Sequence, residues 1–193
     1  ARAFYTFGRY NAIGYSPFGI DGNGISLNPI EGDKSLKKAY KMLKNLTPLI
    51  NQYAGTDKIN GLLLDKDRKS DNVIMGNYKI YAAGFKAVDS EAMTGVKSEE
   101  KKVRKDNVAG LIIFQTGKDE FIVAGGIGSI MVSFNLPRPE KNVHLAMESV
   151  DEILFKDDGS YELHRVNGDE TAYGGAIIRD GEVKAYKIKL YRY

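Results

Sequence analysis

The sequence predicts a mainly β chain, an antiparallel β-sandwich preceded by a strand and a helix of a parallel α/β unit. Three observations carry this expectation. From about residue 58 onward, short β-branched and aromatic segments follow one another at close spacing, separated by Gly and Asp turns. No helical period recurs after Gly55. Before Gly55 the order is helix, strand, helix, the rhythm of a parallel α/β fold. The expected organisation is therefore two units, residues 1–57 and residues 58–193.

In chain order, residues 3–9 read as the last turns of a helix with Gly8 as its stop. Residues 11–21 read as a buried strand ending in an aromatic, glycine-rich turn, because Pro17 has no donor for a ladder. The loop that follows, with Gly22, Asn23, Gly24 and Asn28, has turn composition. A helix begins near Asp33 or Ser35 and runs to Tyr53. Leu36, Ala39, Tyr40, Leu43, Leu46 or Thr47, and Ile50 form its apolar face, and Lys34, Lys37, Lys38, Lys41 and Lys44 oppose them. Pro48 removes a backbone donor, so a kink or break is expected near residues 45–47, and Gly55 ends the helix.

The β region starts with an apolar run at residues 59–64 and a strand-like stretch at residues 73–85. Residues 108–115 and 120–124 flank Thr116-Gly117-Lys118-Asp119, a hairpin signal. Residues 127–134 read as a further strand. Residues 145–155 and 161–166 flank Lys156-Asp157-Asp158-Gly159, a second hairpin. Residues 183–191 alternate cleanly, and the more apolar set, Lys184, Tyr186, Ile188, Leu190 and Arg192, is expected to face the core.

Composition narrows the function classes. The formal charge of +3 arises from 28 basic and 25 acidic residues interspersed along the chain, which argues against a nucleic-acid or membrane surface as the main purpose. With no cysteine there is no disulfide framework, thiolate metal site or cysteine nucleophile, and no cofactor motif is present. No apolar run approaches the roughly 20 residues of a membrane span. The chain opens on Ala-Arg-Ala-Phe without an initiator Met, so it is expected to be a piece of something longer or a processed product.

Each chemistry-like constellation has a plainer reading. Asp65, Asp67 and Asp71 alternate as in a calcium loop, but Lys69 stands at the fifth position and no turn glycine follows, so a solvated loop is expected. The basic run at residues 97–105 is broken by Glu99 and Glu100 and also reads as a solvated loop. Gly125-Gly126-Ile127-Gly128 precedes no helix and carries no Lys-Ser or Lys-Thr pair. It reads as a bulge or tight turn, not a phosphate loop. His144 and His164 have no second histidine at ligand spacing. Asp169 and Glu170 in the turn at residues 167–171 are adjacent, so on an extended chain they point opposite ways and cannot flank one glycosidic bond. The twelve tyrosines could serve as sugar-stacking platforms or as packing residues.

Residues 4–8, followed by Gly8-Arg-Tyr-Asn-Ala-Ile-Gly-Tyr-Ser-Pro-Phe-Gly-Ile-Asp21, resemble the last strand of the (β/α)8 barrel in bacterial β-galactosidases of glycoside hydrolase family 35. The Leu46-Thr-Pro-Leu-Ile50 pattern is similar to the helix after that strand. Residues 61–65, 111–125, 165–171 and 190–193 resemble, in order, the β domain that commonly ends those proteins. Residues 22–29, 89–106 and 126–128 depart from the pattern.

The resemblance implies a retaining glycosidase whose two glutamates stand at the ends of the fourth and seventh barrel strands, upstream of residue 1. It implies a chain that borders the active site without containing it, with no catalytic residue, metal or cofactor of its own. Ser16, Phe18 and Asp21 are the expected substrate-lining residues at the end of the eighth strand. A β-galactoside, reached through the parent enzyme, and the barrel itself are the expected partners. Without the barrel, the first helix and strand are expected to pair with another copy or to fold back on the sandwich. Two other functions stay open: a carbohydrate-binding module, with exposed aromatics along a sheet face, and a purely structural or interaction domain, with buried aromatics and an apolar docking patch.

Overall fold

The computed structural model describes residues 1–10, 34–84, 108–138, 140–166, 171 and 175–193. Two helices, α1 (Arg2–Tyr10) and α2 (Lys34–Tyr53), precede ten strands. The strands are β1 (Ile59–Leu64), β2 (Ser70–Met75), β3 (Tyr78–Gly84), β4 (Ala109–Gly117), β5 (Glu120–Ile127), β6 (Ile130–Asn135), β7 (Leu145–Phe155), β8 (Tyr161–Arg165), β9 (Gly175–Ile178) and β10 (Val183–Arg192). They form a mainly β sandwich of two antiparallel sheets. One has six strands in the order β1-β4-β5-β10-β7-β8, and the other has four in the order β2-β3-β6-β9.

The larger sheet is covered on both faces. Leu62, Leu111, Ile113, Phe121, Val123, Tyr186, Ile188 and Leu190 meet the smaller sheet in the main core. Ile59, Ile112, Phe114, Ala124 and Ala185 turn the other way and meet Phe4 of α1 and Ala39, Leu46 and Ile50 of α2. Side chains alternate across a strand. The run Leu111-Ile-Ile-Phe114 is apolar at every position because both of its faces are buried. On β10, Tyr186, Ile188 and Leu190 face the sandwich core as their alternation predicts.

Helix α1 lies against β1 and β4 with almost no side chain between the backbones. A Cβ added at Gly61 would stand 2.5 Å from the Tyr5 carbonyl oxygen, and one at Gly8 would stand 2.6 Å from the Asn60 carbonyl carbon. Gly8 is thus a close-approach residue within the helix and not its stop, since Arg9 and Tyr10 are also helical. Helix α2 continues through Pro48 without breaking. Its buried residues lie on both sides of the proline, so packing outweighs the missing donor, and Thr47 Oγ1 hydrogen-bonds the Leu43 carbonyl at 3.1 Å. The helix ends as expected at Gly55, with φ 77°. Tyr40, assigned to the apolar face, is exposed; Leu43 packs as expected, and Met42 and Leu49 pack as well. Residue 57 falls in the turn between α2 and β1.

Three strand readings change. Residues 73–85 are not one strand: β2 and β3 form a hairpin turned by Gly76, at φ 55°, and Asn77. Ile127 closes β5, and the next strand starts at Ile130. Strand β9 is additional; its four residues are too few to show an alternation. The hairpins at residues 116–119 and 156–159 form as expected. Residues 11–21, with the expected eighth barrel strand, and residues 22–29 and 89–106 lie outside the described residues.

Candidate functional site

Helices α1 and α2 cover the outer face of the larger sheet over β1, β4, β5, the first part of β10 and the last part of β7, where Ile153 is buried in the same cluster and Phe155 packs against it. Alternation along β10 puts Tyr191 on that same outer face, six residues beyond Ala185 and past the helices. Tyr193 follows, and its backbone exchanges hydrogen bonds with His144, N to O at 2.8 and 3.1 Å. The Tyr191 and Tyr193 rings lie 12° from parallel with centroids 6.0 Å apart, and the His144 ring lies 5.5 Å from Tyr193. Both tyrosines are more than half exposed, at 56% and 63%. At the other end of the same face, at the margin of the helix-covered cluster, the exposed Tyr161 and Leu163 of β8 stand beside Phe155, with the Phe155 and Tyr161 rings 6.1 Å apart. Between the two aromatic ends run ion pairs: Arg165 with Asp151 (2.9 Å), Lys189 with Glu148 (2.9 Å) and Lys187 with Glu120 (3.3 Å).

The opposite side of β7 borders a cleft of about 440 Å³. Phe134, Leu145, Met147 and Leu190 line it, together with Arg165 and Thr171. A bulge in β7 opposite Lys189 and Leu190 bends the strand beside it.

Near the same end of the sandwich, a polar lock ties three segments. The Tyr78 hydroxyl donates to the Asp119 carboxylate and accepts from Arg192 Nε at 3.2 Å. The Arg192 guanidinium lies 4.8 Å from the Tyr78 ring centroid and donates to the Asn77 carbonyl. Burial, with the Asp119 hydrogen bond adding to it, pushes the Tyr78 phenol above its usual range. This lock joins the β2–β3 turn, the β4–β5 turn and the end of β10, so its work is structural.

The constellations weighed in the sequence take the plain roles expected of them where they are described. Asp65 Oδ1 accepts the N–H groups of Asp67 and Arg68, which hold its carboxyl below the usual range. Asp71 accepts the Leu63 N–H at 3.1 Å and pairs with Arg68. Among the described residues, no three His, Cys, Asp or Glu side chains gather to hold a metal ion. Gly125 and Gly126 have φ of 140° and 129° and sit within β5. A Cβ on Gly126 would stand 2.8 Å from Ile178 Cγ2, so their lack of side chains serves packing. Ile127 is held at φ 93° by hydrogen bonds with Glu182 and Gly181, and the Gly128 N–H donates to Val108, leaving no row of donors for an anion.

His164 stands on β8 beside Glu162, at 3.7 Å, and His144 beside Tyr193, so the two histidines serve separate places. Ser16, Phe18 and Asp21 lie outside the described residues, as do residues 97–105 and residues 167–170. The aromatic face was hinted at by the tyrosine count alone. Its membership depends on where the helices stop covering the sheet.

Fold and surface together define a β-sandwich module, with one sheet face half capped by helices and half bare. The chain belongs to the family described as Domain of unknown function (DUF5597), which matches residues 36–178, from α2 through β9. No curated protein matches the chain.

Proposed function

We propose that this chain is the C-terminal accessory part of a β-galactosidase-like, retaining glycoside hydrolase, a non-catalytic sandwich that braces the end of a catalytic barrel. The observation that carries this reading is the docking of α1 and α2. These helices flank residues 11–21, which the resemblance assigns to the last barrel strand, and both are fastened to the larger sheet. One is held by glycine backbone contacts and the other by the Leu46 and Ile50 cluster. A sandwich attached over such an apolar face moves with the segment before it, unlike a module on a flexible tether. A general acid needs a carboxyl shifted upward. Among the described residues, the carboxyls that depart clearly from their ordinary values, Asp65, Asp157 and Asp158, are all lowered by hydrogen bonds. In this reading Ser16, Phe18 and Asp21 border the sugar subsite.

The test is hydrolysis of nitrophenyl β-galactoside by the purified chain and by the same chain extended with its native upstream residues. The expected result is turnover by the extended protein only. Turnover by the chain alone, or an extended protein inactive on β-galactosides, overturns the proposal.

One observation favours a second reading, a carbohydrate-binding module: the near-parallel, exposed Tyr191 and Tyr193 rings beside His144. Flat aromatic faces pack against the apolar faces of pyranose rings. Calorimetric titration with β-galactan oligosaccharides checks it, with binding expected for the native chain and lost in Tyr191→Ala. No heat at millimolar ligand removes the reading.

A further inference from the structure

Strand β8 ends the larger sheet, and all five of its residues are exposed. Which of its backbone groups point outward follows from its ladder with β7. Antiparallel pairs alternate between those that exchange hydrogen bonds and those that do not. Lys156 donates to Ser160 and Val166 donates to Val150, at the two ends of the paired register. Glu162 and His164, in step with those bonded positions, therefore turn their N–H and C=O groups toward β7. Tyr161, Leu163 and Arg165 turn theirs away, to an edge that no other described strand occupies.

An exposed edge of this kind is usually blunted by charged side chains, lysine above all, by proline or by a bulge. β8 reads Tyr-Glu-Leu-His-Arg, with no lysine or proline, and its charged residues, Glu162 and Arg165, are already paired within the chain with Lys156 and Asp151. Its side chains are instead complementary to themselves about Leu163. In an antiparallel pair of β8 strands centred there, Leu163 faces Leu163 and every outward N–H meets an outward C=O. Glu162 faces His164 on one side of the sheet, and Tyr161 faces Arg165 on the other. Slipping the centre to Glu162 or His164 sets like residues against each other, Glu162 on Glu162 or His164 on His164, and loses bonds at the ends. Slipping it by half a step sets outward backbone groups against residues whose groups face β7. Hydrogen-bond parity and charge thus select the same register. Arg165, already oriented by Asp151, is placed to lie over the facing tyrosine ring.

We propose that two copies of this chain associate about a two-fold axis by antiparallel pairing of β8 with β8, centred on Leu163, joining their six-stranded sheets into one. The association is independent of the glycosidase reading. Pairing of two five-residue strands lies at the small end of specific interfaces, so the dimer depends on concentration.

The test is sedimentation velocity of the chain from about 10 to about 500 µM, a range that brackets micromolar affinity. The average mass is expected to rise from 21.4 kDa toward twice that value. Glu162→Arg, which removes the carboxylate that faces His164, and His164→Glu, which faces Glu162 with an anion, are each expected to weaken association at least ~10-fold. The double variant E162R/H164E supplies an opposite-charge pair across the seam and is expected to recover the dimer. Both side chains are exposed, and circular dichroism melting checks that each variant folds; Leu163→Lys replaces any that does not, with the same loss expected. A monomer throughout the range overturns the proposal, as does a dimer that the single variants leave intact or that the double variant fails to restore.

Discussion

Replacing Gly8 with alanine tests how α1 is held, because two physical effects at this position predict opposite signs. Gly8 lies inside a helix, and by intrinsic propensity alone alanine there stabilises by about 1 kcal/mol. The packing says otherwise. The added Cβ would stand 2.6 Å from the Asn60 carbonyl carbon and 2.9 Å from the Gly61 nitrogen, where ordinary contacts begin near 3.4 Å. Those atoms belong to β1, which is paired along its length with β4, so no side chain can swing aside. The helix has to retreat by about 1 Å, and overpacking of this kind costs about 1–3 kcal/mol. The retreat also loosens Phe4, which is fully buried; complete removal of a buried Phe side chain costs about 3–5 kcal/mol and sets the upper limit. The net expectation for Gly8→Ala is a loss of about 1–2 kcal/mol in urea unfolding, read as a lower midpoint at constant slope. A variant equal to or more stable than the native chain refutes the close-packed helix. Gly61→Ala removes the same gap from the other side, so the double variant should lose less than the sum of the two singles.

Tyr78→Phe removes the hydroxyl shared by Asp119 and Arg192 and is expected to cost about 1–2 kcal/mol in the same assay. The Tyr78 phenol is raised above 10.0 in the fold, so its contribution is fully present below pH 10 and is lost as pH rises through the folded value. Native stability should therefore fall in alkali, and the phenylalanine variant should fall less steeply. Asp157 and Asp158 are lowered from 3.8, the first mainly by Lys41 and the second mainly by Ser160. Their contribution is present above pH 3.8 and is lost as pH drops through their folded values. Lys41→Met should shift the acid unfolding midpoint measured by circular dichroism slightly upward; an unchanged midpoint means that the α2 to β7–β8 turn contact contributes nothing in solution.

Much of the candidate surface was beyond the reach of sequence patterns, for reasons visible in particular residues. Tyr191 and Tyr161 have ordinary strand contexts, and nothing local says that both are left exposed on one sheet face. That depends on where the coverage by α1 and α2 ends, past Ala185 on β10 and past Ile153 and Phe155 on β7. The β2–β3 hairpin hid within an apolar stretch, although Gly76-Asn77 is a turn dipeptide, because hydrophobic residues continue on both sides of it. Gly8 read as a helix stop because glycine does end helices; only the neighbouring strand reveals that its missing Cβ serves a contact.

By itself the sequence determined the mainly β class, both hairpins at residues 116–119 and 156–159, the extent of α2 to Gly55, and the inward face of β10. These are local features, set by turn chemistry and by side-chain period within a few residues. The tertiary structure alone decided that β10 inserts between β5 and β7, that β4 is buried on both faces, that glycines let α1 touch β1, and that β8 ends the larger sheet with no further partner among the described strands. Each of those depends on pairing between segments far apart in the chain. Pairing of that kind is chosen by the fit of whole faces, and a residue's neighbours in sequence carry no record of it.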